Sequence, residues 1–292
     1  MKNTEYNAAR LPRLSLQHLL KIGFEEDFGF GDISSTVLPD KMVKGEFVAK
    51  VAGVISGIDS ILMGYQILDE TVEVQHLVSD GSKVEPGDCI AKVDGPARAL
   101  LMSERVILNI LQHMSGIATK TAEAVNELEG STTRLCDTRK TLPGLRALQK
   151  YAVRCGGGFN HRMRLDDGVM IKDNHIAAAG SITKAVEIAR GQNGLMVKIE
   201  VECETEKQVK EAIRAGADII MLDNQSPESA TELCAMIPDN IIVELSGGMT
   251  PESIRKFKNC GAHYISMGSV THSVTALDIS FVLSGTIKSG KG

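Results

Sequence analysis

From Thr133 onward the chain alternates short apolar runs with helical stretches, a rhythm that few architectures accommodate. TRLCDTR leads to a helix predicted at 145–155, and VMIKDN to one at 182–190. KIEVECE leads to a helix at 206–215, DIIMLDN to 228–236 and IIVELSGG to 251–259, before YISMGS closes the series. Six strands with helices between, at about 25 residues per unit, imply parallel strands joined by right-handed crossovers. A complete barrel of this kind has eight strands. An α/β fold built on an open, incomplete parallel barrel of about six strands is therefore expected. An open doubly wound sheet satisfies the same periodicity.

The chain before Thr133 has a different texture. Residues 14–27 set Leu16, Leu19, Leu20 and Phe24 at helical spacing behind Ser15, a candidate N-cap, and GFGD then breaks the pattern. Between 45 and 93 short strands alternate with turns around one apolar helix at 59–68. DGSKVEPGDCIAKVDG carries turn signals at Asp80-Gly81 and Pro86-Gly87-Asp88. Its pattern is similar to the small barrels that carry biotin or lipoate, but no Met-flanked lysine tripeptide is present, so a structural sheet is expected. Helices are predicted at 98–115 and 120–129, separated by SGIAT. The division that follows is an N-terminal α+β domain over 1–114, with 275–292 packed on it, and a barrel domain over 115–274.

A chain of 292 residues can bury a substantial core, and a net charge of -5 argues against a general nucleic-acid binder. The six cysteines lie singly, without CxxC or a zinc-spaced His pair, so buried reduced thiols are expected. The first residues lack the apolar core of a signal peptide, and no run reaches the roughly 20 apolar residues of a membrane span. A cytoplasmic protein, with no membrane and no nucleic-acid partner, is the expectation.

Against the acidic average, residues 133–172 gather nine cations (Arg134, Arg139, Lys140, Arg146, Lys150, Arg154, Arg162, Arg164, Lys172) and three acids (Asp137, Asp166, Asp167). A solvated basic helix face is one account. The other is a cationic rim, because active sites of parallel barrels form where strands run into the following loops. Those ends carry Asp137, Arg139 and Lys140, then Lys172, Asp173 and Asn174, then Glu202. Asp223 and Asn224 follow, then Ser246, Gly247 and Gly248, then Gly268 and Ser269. Such a rim without aromatics suits a small polyanion better than a nucleic-acid strand. SGGMTPES, with Thr250 as N-cap and Pro251 at N1, and GSVTHS, with His272, resemble phosphate-binding final loops. Gly156-Gly157-Gly158 caps a helix or turns the chain so that His161 and Arg162 re-enter the site. Glu202 and Asp223 suit either hydrated magnesium and sugar hydroxyls or structural ion pairs, and spacing does not choose. Spacing alone makes Arg105 a surface residue.

DTRKTLPGLR, KYAVRCGGG, NHR, IKDNH, IEVE, LDN, ELSGG and GSVTHS, in this order, resemble the quinolinate phosphoribosyltransferases, also called nicotinate-nucleotide pyrophosphorylases (carboxylating). The resemblance runs from Arg105 to Ser273; before it the likeness is one of layout. It implies a sandwich-like first domain, an open α/β barrel, and a homodimer with shared sites, or a higher oligomer built from it. It places quinolinate at Arg139, His161, Arg162 and Lys172, with Arg105 arriving from the other subunit. It places phosphoribosyl pyrophosphate at Lys140, Asp173, Glu202, Asp223, Ser246, Gly247, Gly268 and His272. Lys140, Glu202 and Asp223 carry the catalytic roles, and Glu202 and Asp223 hold Mg2+ directly or through water. Leu142, Met163-Arg164 and Asp166-Asp167 depart from the family pattern. A phosphosugar aldolase with Lys172 as Schiff-base nucleophile is the competing enzyme, and a carrier or scaffold the competing non-enzyme.

Overall fold

The computed structural model describes residues 10–38 and 40–284. The rest of the N-terminal domain assignment and of its 275–292 partner segment lies outside the described residues. Along the chain come α1 (Arg13–Phe28), β1 (Met42–Ala49), β2 (Gly53–Val54), α2 (Asp59–Leu68), β3 (Glu73–His76), β4 (Lys83–Val84), β5 (Cys89–Pro96) and α3 (Ala97–Glu127). Then follow β6 (Arg134–Cys136), α4 (Arg146–Cys155), β7 (Val169–Ile171), α5 (Asp173–Ala179), α6 (Ile182–Gln192), β8 (Ile199–Cys203) and α7 (Glu206–Ala215). The series ends with β9 (Ile219–Asp223), α8 (Pro227–Met236), β10 (Ile242–Ser246), α9 (Pro251–Ile254), β11 (Tyr264–Ser266), α10 (Ser269–His272) and β12 (Ile279–Leu283).

Two compact units result. The first takes in the described residues up to Lys120, Ala147–Gly157 and the chain from Val274; the second is Thr121–Arg146 with Gly158–Ser273. The 114/115 boundary read from the sequence lies within α3.

In the first unit an antiparallel sheet runs β12-β1-β5-β3, with β2 and β4 paired separately. Gly81 and Gly87 adopt φ +84° and +97°, which only glycine takes readily, so the two expected turns form as read. Phe47 and Tyr65 are fully buried and meet edge to face at 6.4 Å. Two local expectations fail. Helix α1 begins at Arg13 behind Pro12, without a side-chain cap, so Ser15 lies inside it and is no N-cap. SGIAT does not separate two helices: α3 runs through it unbroken. The small residues there serve packing, since Ser115 Oγ donates to Ser56 O at 3.3 Å. A Cβ on Gly116 would stand 2.2 Å from Thr275 O.

The second unit carries a six-stranded sheet ordered β6-β11-β10-β9-β8-β7. Every pairing in it is parallel. The strands wind in one direction and the first returns beside the last, which is barrel winding; a doubly wound sheet would reverse. The barrel stays open because β6 and β7 do not pair. Its helices carry their own start signals. Thr205 and Gln208 cap α7 reciprocally and Gly216 ends it at φ +77°, while Ser181 caps α6. The four-residue α9 ends earlier than the predicted 251–259, giving way to a 3-10 turn at Arg255–Phe257.

Candidate active site

Register decides what the barrel strands present to each side. Glu202 of β8 lies opposite Met221 of β9, which lies opposite Glu244 of β10. Because strand side chains alternate, Glu200, Glu202, Met221, Asp223, Glu244 and Ser246 share one face. Ile199, Val201, Cys203, Ile220, Leu222, Val243 and Leu245 share the other and are buried, with α6 and α7 packed on β8. All inward residues at the C-terminal ends of these parallel strands therefore emerge along one edge of the sheet.

The chain reaches the site through an addition to the free edge of β6. After Gly157, at φ +87°, Phe159 pairs with Cys136 as a single parallel bridge. Its N–H donates to Leu135 O at 2.8 Å, and Asp137 N–H donates to its carbonyl at 3.0 Å. Asp137 is fully buried. Its carboxylate accepts from Asn160 Nδ2 at 2.7 Å and from the His161 N–H at 2.9 Å, which fixes the NHR segment. His161 then places Nε2 3.1 Å from Glu200 Oε2 and 3.4 Å from Glu244 Oε2. Burial opposes charge on this ring, but hydrogen bonds and charge from Glu200 and Glu244 outweigh it and carry the His161 pKa up to about 10. Burial likewise raises the Glu200 pKa, and groups so close titrate together. An imidazolium would turn an Nδ1–H toward the Arg162 N–H, which stands 2.7 Å from Nδ1. The raised proton affinity thus belongs to the His161, Glu200 and Glu244 cluster as a unit, and the Nδ1 contact with the Arg162 N–H places the shared proton between Nε2 and the carboxylates.

Arg162 donates through Nη1 to Gly168 O at 2.7 Å. Burial, and then the neighbouring charge of Arg139, pull its pKa below the ordinary guanidinium range. Arg146 ties the two loops that bear these cations, donating to Thr141 Oγ1 at 2.9 Å and to Met163 O at 3.2 Å. Lys172, just past β7, is ion-paired with Glu202.

A second group forms around the last loops. A Cβ on Gly268 would lie 2.9 Å from Lys140 Cδ and 3.2 Å from the His272 ring, so this glycine lets Lys140 and His272 converge. Thr271 Oγ1 locks the junction by donating to Lys140 O at 2.8 Å. Ser246 pairs in register with Asp223, and the Asn224 N–H donates to Ser246 O at 3.0 Å. Gly247, at φ +106°, must be glycine on two counts: a Cβ would also meet the Asn224 backbone at 2.7 Å.

Two other expected residues are exposed. Asp173 is exposed, its carboxylate accepting from the Asn174 N–H at 2.7 Å. Arg105 is exposed on α3 and belongs to the first unit. The cationic cluster shrinks as well. Lys150 and Arg154 lie on α4 in the first unit, with Lys150 fully buried. Arg134 stacks over Phe159 at 4.9 Å, and Arg164 is exposed beside Asp166. Arg139, Lys140, Arg146, Arg162 and Lys172 remain for the site. Sequence reading passed over Glu200 and Glu244. Their signal was present: IEVEC and VELS alternate apolar and acidic residues with period 2, the pattern of a strand whose inner face is polar.

Glu202 and Asp223 also fit a hydrated Mg2+. Both are hard oxygen donors at adjacent strand ends. Among the described residues each accepts from one side chain, Lys172 for Glu202 and Asn224 Nδ2 for Asp223, and a carboxylate has room for more.

Comparison with known proteins shows the family. The model for the C-terminal domain of quinolinate phosphoribosyl transferase matches residues 117–282, and that for the N-terminal domain matches 32–115. A probable nicotinate-nucleotide pyrophosphorylase [carboxylating] of Bacillus subtilis is 52% identical over 268 residues, covering 91% of this chain and 93% of its own. The crystal structure of NadC from Streptococcus pyogenes superposes with a TM-score of 0.92 at 39% identity, covering 95% of this chain and 99% of that one. The nicotinate-nucleotide pyrophosphorylase from Francisella tularensis does so with a TM-score of 0.90 at 35% identity, covering 94% and 98%. With its open barrel, its cationic strand ends and both halves matched, the chain belongs to the quinolinate phosphoribosyl transferase family.

Proposed function

We propose that this chain transfers the phosphoribosyl group of phosphoribosyl pyrophosphate to quinolinate with loss of carbon dioxide, forming nicotinate mononucleotide for NAD synthesis. The observation that carries the reading is the pair of separate cationic groups at one edge of one sheet, Arg139 with Arg162 and Lys140 with His272 beside Gly268. Two polyanions brought together need two such groups, because each must be neutralised before the other can approach. Arginine forks suit the two ring carboxylates, and the lysine with the final glycine loops suits phosphate.

In this reading Arg139, Arg162 and Lys172 orient the ring so that its nitrogen faces C1 of the ribose. Glu202 and Asp223 stabilise the positive charge that develops at C1 as pyrophosphate departs. Mg2+, held by these two carboxylates directly or through water, would neutralise the leaving pyrophosphate. Once quaternary, the ring nitrogen stabilises the electron pair that carbon dioxide leaves on the adjacent carbon, and that carbon then takes a proton from water. Positioning supplies most of the rate. The geometry favours a binding role for Lys172 over a Schiff base, because its Nζ is held against the Glu202 carboxylate.

The test is to combine protein, Mg2+, quinolinate and phosphoribosyl pyrophosphate and to measure nicotinate mononucleotide and carbon dioxide. Neither product, or imine trapping by borohydride with a carbonyl substrate, rejects the reading. Nicotinate should react poorly, since it leaves half-buried cations of the site unpaired. The proposal includes a cytoplasmic homodimer in which Arg105, exposed in the single chain, completes the partner's site. Arg105→Ala and Lys172→Ala, each inactive alone, should then regain about a quarter of full activity after subunit exchange.

A further inference from the structure

We propose that Glu200 and Glu244 are positioning residues of the quinolinate pocket: they clamp the His161 ring, and the ring fixes the backbone of Arg162. The inference rests on the activity proposed above for its substrate, and on geometry for its mechanism. Glu200 and Glu244 are 3% and 4% exposed, inside a barrel whose neighbouring inward positions include Met221 and Ile219. Buried carboxylates cost stability unless a partner compensates them, and apolar residues of similar size would fill such space at lower cost. Each sends Oε2 to His161 Nε2, at 3.1 and 3.4 Å, while Oε1 of each is buried without a hydrogen-bond partner among the described residues. Packing alone therefore does not account for them.

What they hold is the turn between His161 and Arg162. His161 Nδ1 accepts the Arg162 N–H at 2.7 Å, and the His161 N–H is tied to Asp137 at 2.9 Å. Arg162 is thus anchored through the ring at its own N–H and through Gly168 O at its guanidinium. Two inward strands set the position of a residue on a loop, which is how a loop gains the precision of a strand.

The same three residues have the spacing of a metal site, their ligand atoms lying within 4.8 Å of one another. The ring orientation argues against one. A histidine bound to a metal through Nε2 carries its proton on Nδ1 and donates it to an acceptor. Here Nδ1 faces a donor, the Arg162 N–H. The proton lies on Nε2, where the ion would be.

The experiment compares Glu200→Met, Glu244→Met and Glu244→Gln, with folding followed by circular dichroism. Each methionine variant should raise the quinolinate KM about tenfold or more, with the phosphoribosyl pyrophosphate KM within about twofold. Glu244→Gln keeps an oxygen that accepts from Nε2–H, and should bring the quinolinate KM back to within about threefold of the parent. Equal rises for both substrates, or no rise for quinolinate, overturn the proposal. So does one zinc ion bound per parent chain and lost in the variants. If the parent protein does not turn over quinolinate, the activity reading fails, and the clamp is judged by 15N NMR of the histidine rings. His161 should then show a protonated Nε2 and a bare Nδ1; a ring protonated at Nδ1 overturns the clamp, whether or not the methionine variants fold.

Discussion

The two faces of the same barrel strands obey different rules. Outward, Ile199, Val201, Ile220, Leu222, Val243 and Leu245 are buried and apolar. Inward, one residue along in each case, stand Glu200, Glu202, Met221, Asp223, Glu244 and Ser246, five of the six polar. The outer face follows from the hydrophobic effect alone, and any set of apolar residues of similar volume would serve it. The inner face works against that effect, since it buries carboxylates that must then be compensated by His161 and Lys172. The difference teaches that one face was shaped by folding and the other by ligands, at a separation of a single residue.

The comparison is best challenged by one substitution on each side. Arg162→Ala, among the inward-facing loops, should weaken quinolinate binding by about 2–5 kcal/mol, the range for a desolvated charge partner lost. Donor binding and melting temperature should hardly move. Calorimetry with each ligand checks it, and equal losses for the two ligands would break the distinction. Leu222→Ala, on the outer face of β9 and fully buried, should reverse the pattern. It should cost about 2–4 kcal/mol of stability, through lost burial and the cavity left behind. Both KM values should be unchanged at a temperature where the variant stays folded. A smaller effect sharpens the view of the last loops. Thr250→Ala removes the cap that accepts from the Ser253 N–H at 3.2 Å, and should cost about 1 kcal/mol in a denaturant melt.

The outer face was legible in the sequence because it is written in period. Alternating strands and helices, with the cap at Thr250, narrowed the fold to an open barrel or a doubly wound sheet and located the strand-end residues. Three things were not legible, each for a physical reason. The unbroken α3 was hidden because SGIAT reads as a break, while Ser115 and Gly116 are small so that neighbours can approach. The clamp on His161 was hidden because its members lie 39 and 83 residues from the histidine (161 to 200 and to 244), and only the winding of the sheet, with Phe159 added beside β6, brings them together. The direction of each cation was hidden too, because charge in a sequence carries none: Lys150 and Arg154 belong with α4 to the first unit.

The missing direction gives the smallest and most discriminating expectation, since Arg162 and Arg164 lie two residues apart on one loop. Sequence counting treats them alike. In the structure Arg162 is half-buried, bonded to Gly168 O, and lowered in pKa by burial and by Arg139. Arg164 has a side chain 74% exposed and lies 3.5 Å from Asp166, itself 76% exposed. An ion pair so open to water gains little Coulomb energy, loses side-chain freedom on forming, and is screened by salt. Arg164→Ala should therefore change stability by less than about 0.5 kcal/mol and leave both KM values where they were. Denaturant melts and steady-state kinetics at low and high salt measure this directly. A large rise in either KM at low salt, fading at high salt, would show instead that Arg164 draws the anionic substrates in from a distance. The cationic site would then reach two residues further along the loop than burial places it.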